Sequence, residues 1–382
     1  MKILFASDSF KGSLSSERIC QLLEKVTKQV FPDAETQGML VADGGEGTVD
    51  TIVKELKGRY QQVDIKDPLF KDGKAFYGIL PNNEAVIEMA AASGLPMVPI
   101  GKRNPLFTTS YGTGMLIKDA VENGCKKITV AIGGSATNDG GMGAMSALGV
   151  VFYDKDGNQL LGKGEDLEKI TAVDTSNILP ELQEVEFTVM CDVNNPLLGE
   201  RGATFTFGAQ KGGTQEILER LEKGMKNYAG VVEAALGKSN REISGAGAAG
   251  GLGFALVTFL NAKLKPGIDV VLDLINFDEK LSSASLVITG EGRMDWQSSF
   301  GKVPSGIGER CRKAGVPAVA IVGGLLQGYE SIYKTGIETV VTTVNGIMTI
   351  DEAIDRCEEL YEDAAYRLLK SLKCGMEISS VY

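Results

Sequence analysis

Ile3-Leu4-Phe5-Ala6-Ser7-Asp8, followed by Ser15 and then by Ile19, Leu22, Leu23, Val26 and Val30 at helical spacing, is the stretch that decides the fold class. A short apolar run without alternation reads as a strand buried on both faces, as in parallel sheets, and Ser15 offers a side-chain oxygen to cap the helix after it. Comparable runs recur at residues 39–42, 128–132, 286–289, 318–322 and 339–343, each ending in a Gly or Asp turn. Together they predict a parallel α/β sheet with helices packed on it. A Thr349-x-x-Glu352 capping box starts the last predicted helix, which carries Ile354, Cys357, Tyr361 and Leu368.

The texture changes twice along the chain. Residues 61–87 alternate around Lys71-Asp72-Gly73 and Pro81-Asn82-Asn83, and residues 150–160 repeat the pattern around Lys155-Asp156-Gly157-Asn158, so both predict antiparallel hairpins. The expected architecture is α/β with two domains. A discontinuous Rossmann-like parallel-sheet domain takes residues 1–63, 107–148 and 267–382, and a second mixed α/β domain of residues 64–106 and 149–266 is inserted into it.

Composition narrows the chemistry. The 382 residues contain no histidine, which excludes Ser-His-Asp and Cys-His nucleophiles and HExxH zinc sites. Acid-base work falls to Asp, Glu, Lys, Tyr or Cys. A net charge of -11 argues against nucleic acid or an anionic membrane as partner. About five apolar residues before Asp8 are too few for a signal-peptide core, no run reaches the roughly 18 residues of a membrane span, and a cytoplasmic protein is expected. The six cysteines form no C-x-x-C pair and are read as reduced thiols.

Glycine is abundant, 48 residues in all, and gathers where strands give way to helices: Asp43-Gly44-Gly45-Glu46-Gly47, Gly133-Gly134-Ser135-Ala136-Thr137-Asn138-Asp139-Gly140-Gly141, Gly290-Glu291-Gly292-Arg293-Met294-Asp295 and Gly323-Gly324. At the carboxyl ends of parallel strands such loops let backbone amides approach a phosphate. A strand-end acid alone is commonly a helix cap, but Asp8, Asp43, Glu46, Asp139, Glu291 and Asp295 together with Lys11, Arg293 and Lys302 suggest Mg²⁺ and phosphate chemistry. No GxxxxGK[ST] P-loop occurs. Gly245-Ala246-Gly247-Ala248-Ala249-Gly250 matches GxGxxG, yet polar residues precede it instead of a strand, which leaves an NAD-dependent hydroxy-acid oxidoreductase as a weak alternative. A non-catalytic sugar-acid binding protein is a second alternative, weakened by the many carboxylates, which would repel an acid.

The segments 6–14, 42–48 and 132–141, followed in order by Cys191-Asp192-Val193-Asn194-Asn195-Pro196, Phe207-Gly208-Ala209-Gln210-Lys211-Gly212, the 245–253 glycine run, Lys265-Pro266-Gly267-Ile268-Asp269 and Gly290 to Asp295, resemble the bacterial glycerate kinase family. The resemblance implies ATP-dependent phosphorylation of D-glycerate with Mg²⁺, at the 2-hydroxyl, by a two-domain α/β enzyme with a cleft. On that basis Gly133, Gly134, Ser135, Thr137, Asn138 and Asp139, with Gly44 and Gly45, are expected to cradle nucleotide phosphates. Asp43 and Asp8 are expected to hold Mg²⁺, Lys11 to neutralise the transferred phosphate, and Arg293 to clamp the substrate carboxylate. Asp192 is the first choice for the base and Asp295 the second. Trp296 and Phe300 depart from the family pattern and are bulky enough to narrow or reshape that side of the cleft, their effect on it being left open by the sequence.

Overall fold

The computed structural model describes residues 1–379. Among these residues the strands in chain order are β1 (Lys2–Ser7), β2 (Glu35–Gly38), β3 (Arg59–Lys66), β4 (Asp72–Ile79), β5 (Glu84–Glu88), β6 (Lys127–Ala131), β7 (Val151–Asp154), β8 (Ile170–Asp174), β9 (Glu186–Met190), β10 (Lys263–Lys265), β11 (Leu286–Met294), β12 (Ala318–Leu325) and β13 (Ile337–Thr342). The chain divides into two compact units, one built from Met1–Asp43 and the chain from Ile268 onward, the other from Gly44–Gly267.

The first unit is a five-stranded sheet in the order β13-β12-β11-β1-β2, with every pairing parallel. Ser15 caps the Ser16–Val30 helix, its side-chain oxygen accepting from the Arg18 N–H, and Ile19, Leu22, Leu23, Val26 and Val30 are all buried. At Gly290, opposite Ile321, an added Cβ would collide with the Ile321 carbonyl oxygen, so only glycine lets β11 and β12 lie this close. The second unit holds a six-stranded sheet, β10-β9-β6-β5-β4-β3, in which β10 to β5 run parallel and β5, β4 and β3 form an antiparallel meander. Each unit has its own apolar core.

Three expectations need correction, and a fourth holds in shortened form. Residues 39–42 are not a strand: β2 ends at Gly38, and just beyond it Met39 N–H donates to Phe5 O at 2.8 Å. The true strand is the polar edge Glu35-Thr36-Gln37-Gly38, whose half-exposed position requires no apolar run, whereas Met39, Val41 and Ala42 are buried beyond its end. The second unit is one continuous insertion, because β6 pairs with β5 and β9 and β3 pairs with β4, which draws residues 44–63 and 107–148 out of the parallel-sheet domain. The expected hairpin at 150–160 is present in short form, with Leu160 N–H donating to Phe152 O at 2.9 Å and Asp154 N–H to Asn158 O at 3.0 Å around an antiparallel Tyr153–Gln159 bridge, while β7 takes β8 as its longer partner. The Thr349 capping box is present, but the helix it starts ends at Asp355, and a separate helix, Cys357–Ser379, carries Cys357, Tyr361 and Leu368. All six cysteines are free.

Replacing Gly290 by Ala should cost about 1–3 kcal/mol of stability through overpacking against backbone that cannot yield. Urea unfolding followed by the fluorescence of Trp296, the single tryptophan, reads this directly. An unchanged midpoint would contradict the close approach.

Candidate active site

In the first unit the chain leaves β1 for β2 on one side and leaves β11 for β12 and β13 on the other. Neighbouring parallel strands whose connections diverge in this way open a crevice beyond their carboxyl ends. A cavity of about 720 Å³ lies there, and its charged lining is balanced: Asp8, Asp43 and Glu291 face Lys11, Arg293 and Lys302.

The local chain path explains each placement. Asp8 follows the last residue of β1, and its N–H donates to Gly290 O at 3.0 Å, tying the strand ends together. Phe10 and Leu14 then close a tight turn, with Phe10 N–H donating to Leu14 O at 2.8 Å and Gly12 at φ +86. Phe10 is buried edge-on against Tyr361 of the Cys357–Ser379 helix, at 5.5 Å between ring centroids, so the turn is anchored and exposed Lys11 sits at its tip. On β11, Glu291 and Arg293 are two residues apart and therefore project to the same side of the strand. Lys302 precedes the Val303–Ala314 helix.

Burial, followed by the nearby charge of Asp43, pushes the Asp8 carboxyl up to about 6, against the opposing pull of the Ser9 N–H, Lys11 and Lys302. Glu291 is only 6% exposed, and burial pushes it up to about 7 despite the Ser298 hydroxyl and Lys302. Its Oε2 lies 3.9 Å from Lys302 Nζ, while its Oε1 has no hydrogen-bond partner. A histidine-free chain thus keeps two carboxyl groups titrating well above the usual carboxylate range.

In the second unit, Gly133 and Gly134 follow β6 and are exposed, Gly134 in the left-handed region at φ +76. Beneath them lies Lys211, 2% exposed, whose Nζ donates to Ser135 Oγ and Thr137 O, each at 2.7 Å. Burial pushes this lysine down to about 7, with the charge of Asp139 opposing.

A model of the glycerate kinase family matches residues 3–373. The glycerate kinase of Halalkalibacterium halodurans is 44% identical over 364 residues, 95% of this chain and 96% of that protein. The glycerate 2-kinase of Escherichia coli K12 is 42% identical over 377 residues, 98% of this chain and 99% of its own. A solved structure described as a glycerate kinase 2 from Salmonella typhimurium LT2 superposes with a TM-score of 0.90 at 40% identity, covering 99% of both chains. The chain belongs to the glycerate kinase family.

For this glycerate kinase family member, Asp8, Lys11, Asp43 and Arg293 share the cavity of the first unit. Asp295, expected as a possible base, does not line it: its carboxylate accepts from the Gln297 N–H at 2.8 Å and caps the turn Trp296–Ser299. Trp296 and Phe300 stack edge to face at 6.1 Å, mostly exposed, and neither lines this cavity. Asp192 belongs to the second unit, follows β9, and accepts from the Gly267 N–H at 2.8 Å.

The glycine loop divides in two. Gly133 and Gly134 are open, whereas Thr137, Asn138 and Asp139 are wholly buried. Asp139 accepts from Ser110 N–H and Oγ, both at 2.7 Å, and from the N–H groups of Gly141 at 3.1 Å and Gly143 at 3.2 Å, so its carboxylate braces the loop and is closed to a ligand. Asn138 donates to Thr204 Oγ1 at 3.1 Å. Gly44 is buried with φ +91, where a Cβ would stand 3.0 Å from the Gly267 Cα, and Gly45 is half-buried. The GxGxxG stretch serves packing: a Cβ on Gly250 would strike the Thr137 carbonyl oxygen. Glu291, grouped from sequence with the other loop acids, and Lys211, given no role there, stand out through their burial, which charge-based inspection of a sequence does not show.

A glutamate raised from 4.5 to about 7 keeps an extra proton in the folded chain across that window. Its contribution to stability is therefore greatest below the window and declines as pH rises through it. At pH 8 the Glu291→Gln variant should melt at or above the wild-type temperature in a calorimetric scan. A drop of several degrees would contradict the burial cost.

Proposed function

We propose that this chain is an ATP-dependent kinase that phosphorylates D-glycerate at its 2-hydroxyl, giving 2-phosphoglycerate and ADP, and works in the cytoplasm. The observation that carries it is the cavity beyond β1 and β11, where three carboxylates and three cations converge on one hollow. Family membership supports glycerate as acceptor, and the likeness to the Escherichia coli glycerate 2-kinase supports the 2-hydroxyl.

Phosphoryl transfer passes through a loose transition state that asks mainly for positioning and charge neutralisation. Lys11, held out on its anchored turn, meets the charge of the moving phosphoryl group. Arg293 offers the planar fork that suits a carboxylate, and so orients the acid end of glycerate. Gly133, Gly134 and Ser135, in the second unit, offer backbone N–H groups and a hydroxyl to anionic groups of the substrates. Asp192 keeps its backbone partner at Gly267 and has no assigned step.

The residues also fit Mg²⁺. Asp8 and Asp43 are close enough for one to raise the other's pKa, a repulsion that a divalent cation relieves. Among the described residues no group of three or more His, Cys, Asp or Glu side chains could hold a metal. That suits Mg²⁺, which commonly rests on one or two carboxylates and otherwise takes water and substrate phosphate. When bound, the ion supplies charge neutralisation at the phosphates.

ADP-coupled turnover should require D-glycerate, ATP and Mg²⁺ together, and phosphorus NMR should place the new ester on carbon 2. An ester on carbon 3, or nicotinamide reduction at 340 nm in place of ADP, would overturn the proposal. Lys11→Ala and Asp43→Ala should each lower turnover at least about a hundredfold with melting temperatures near wild type. Near-normal turnover in either removes that residue's role.

A further inference from the structure

Glu291 is the one cavity carboxylate for which the proposed parts leave no task. It is 6% exposed on β11, yet it lines the cavity, and its Oε1 has no hydrogen-bond partner. A buried carboxylate oxygen without a donor is costly unless something supplies one. Lys302 approaches only Oε2, at 3.9 Å. The other carboxylates near the strand ends are engaged: Asp295 caps its own turn, and Asp8 accepts from the Ser9 N–H at 2.7 Å beside Asp43.

We infer that Glu291 is the base of the reaction, its unpartnered Oε1 accepting the proton of the hydroxyl that is phosphorylated. The inference rests on the glycerate kinase function proposed above. Strand geometry favours it. Residues 291 and 293 point the same way about 7 Å apart along β11. A substrate held by its carboxylate on Arg293 presents a hydroxyl on the adjacent carbon, within the compass of a side chain on the same row. As the hydroxyl oxygen bonds to the γ-phosphorus, the bond from that phosphorus to the bridging oxygen breaks. ADP keeps the electron pair, and the hydroxyl proton passes to Oε1. Burial also tunes the carboxyl toward neutrality, where a general base is most effective.

The test is steady-state kinetics of Glu291→Gln and Glu291→Asp with D-glycerate, ATP and Mg²⁺, beside melting curves. Glutamine keeps the size and removes the basicity, so kcat should fall at least about a hundredfold while KM for D-glycerate stays within about threefold. Aspartate restores a basic oxygen and should recover at least about tenfold of that loss. Turnover of the Gln variant within threefold of wild type, a loss confined to KM, or an Asp variant no better than Gln would each overturn the assignment. Should the Gln variant prove unfolded, the Asp variant decides: folded and within about tenfold of wild-type turnover supports the base, folded and further below refutes it. A wild type that forms no ADP with D-glycerate refutes the parent function and this inference together, whereas an active wild type with an active Gln variant refutes only the inference.

Discussion

The reversal of strand order between β1 and β11 is the constraint on which the candidate site depends. Two adjacent parallel strands send their chains to opposite flanks, and whatever follows their last residues must surround the gap they leave. Asp8 and Lys11 come from the end of β1, and Glu291 and Arg293 from the end of β11. The arrangement tolerates little error. Asp8 is tied to Gly290 by a backbone hydrogen bond, and the glycines at 290 and 323 let neighbouring backbones approach where a methyl group would collide with a carbonyl oxygen. Phe10, wedged on Tyr361, fixes the turn that presents Lys11.

Electrostatics at this gap trades stability for reactivity. Two half-buried or buried carboxyls, Asp8 and Glu291, are raised toward neutral pH chiefly by desolvation, with the charge of Asp43 adding to the rise at Asp8. In a core such groups would be replaced by apolar ones; kept in a cavity with three cations, they are poised to bind a cation or accept a proton. The lack of histidine makes this tuning the available route to a group that titrates near pH 7.

Much of this was legible in the sequence. The buried runs at β1, β11 and β12 and the Ser15 cap followed from local pattern, and the strand-end charges marked Asp8, Lys11, Asp43 and Arg293. What misled was burial outside the sheet and pairing without hydrophobicity: the apolar stretch from Met39 to Ala42 lies beyond the end of the strand, while β2 is polar yet forms the sheet edge. The extent of the insertion depends on β6 pairing with β5 and β9, a long-range choice that a single buried run does not encode. Glycine-loop acids look alike in sequence, yet Asp139 is consumed by four internal hydrogen bonds, Asp295 caps a turn, and Glu291 keeps a buried oxygen without a hydrogen-bond partner.

The central claim is that substrates gather at the carboxyl ends of β1 and β11. Hydrogen–deuterium exchange with and without D-glycerate, Mg²⁺ and a non-hydrolysable ATP analogue tests it most directly. The account predicts slowed exchange at the amides of residues 9–13 and 291–293; unchanged exchange in both segments, with protection appearing elsewhere, would contradict it.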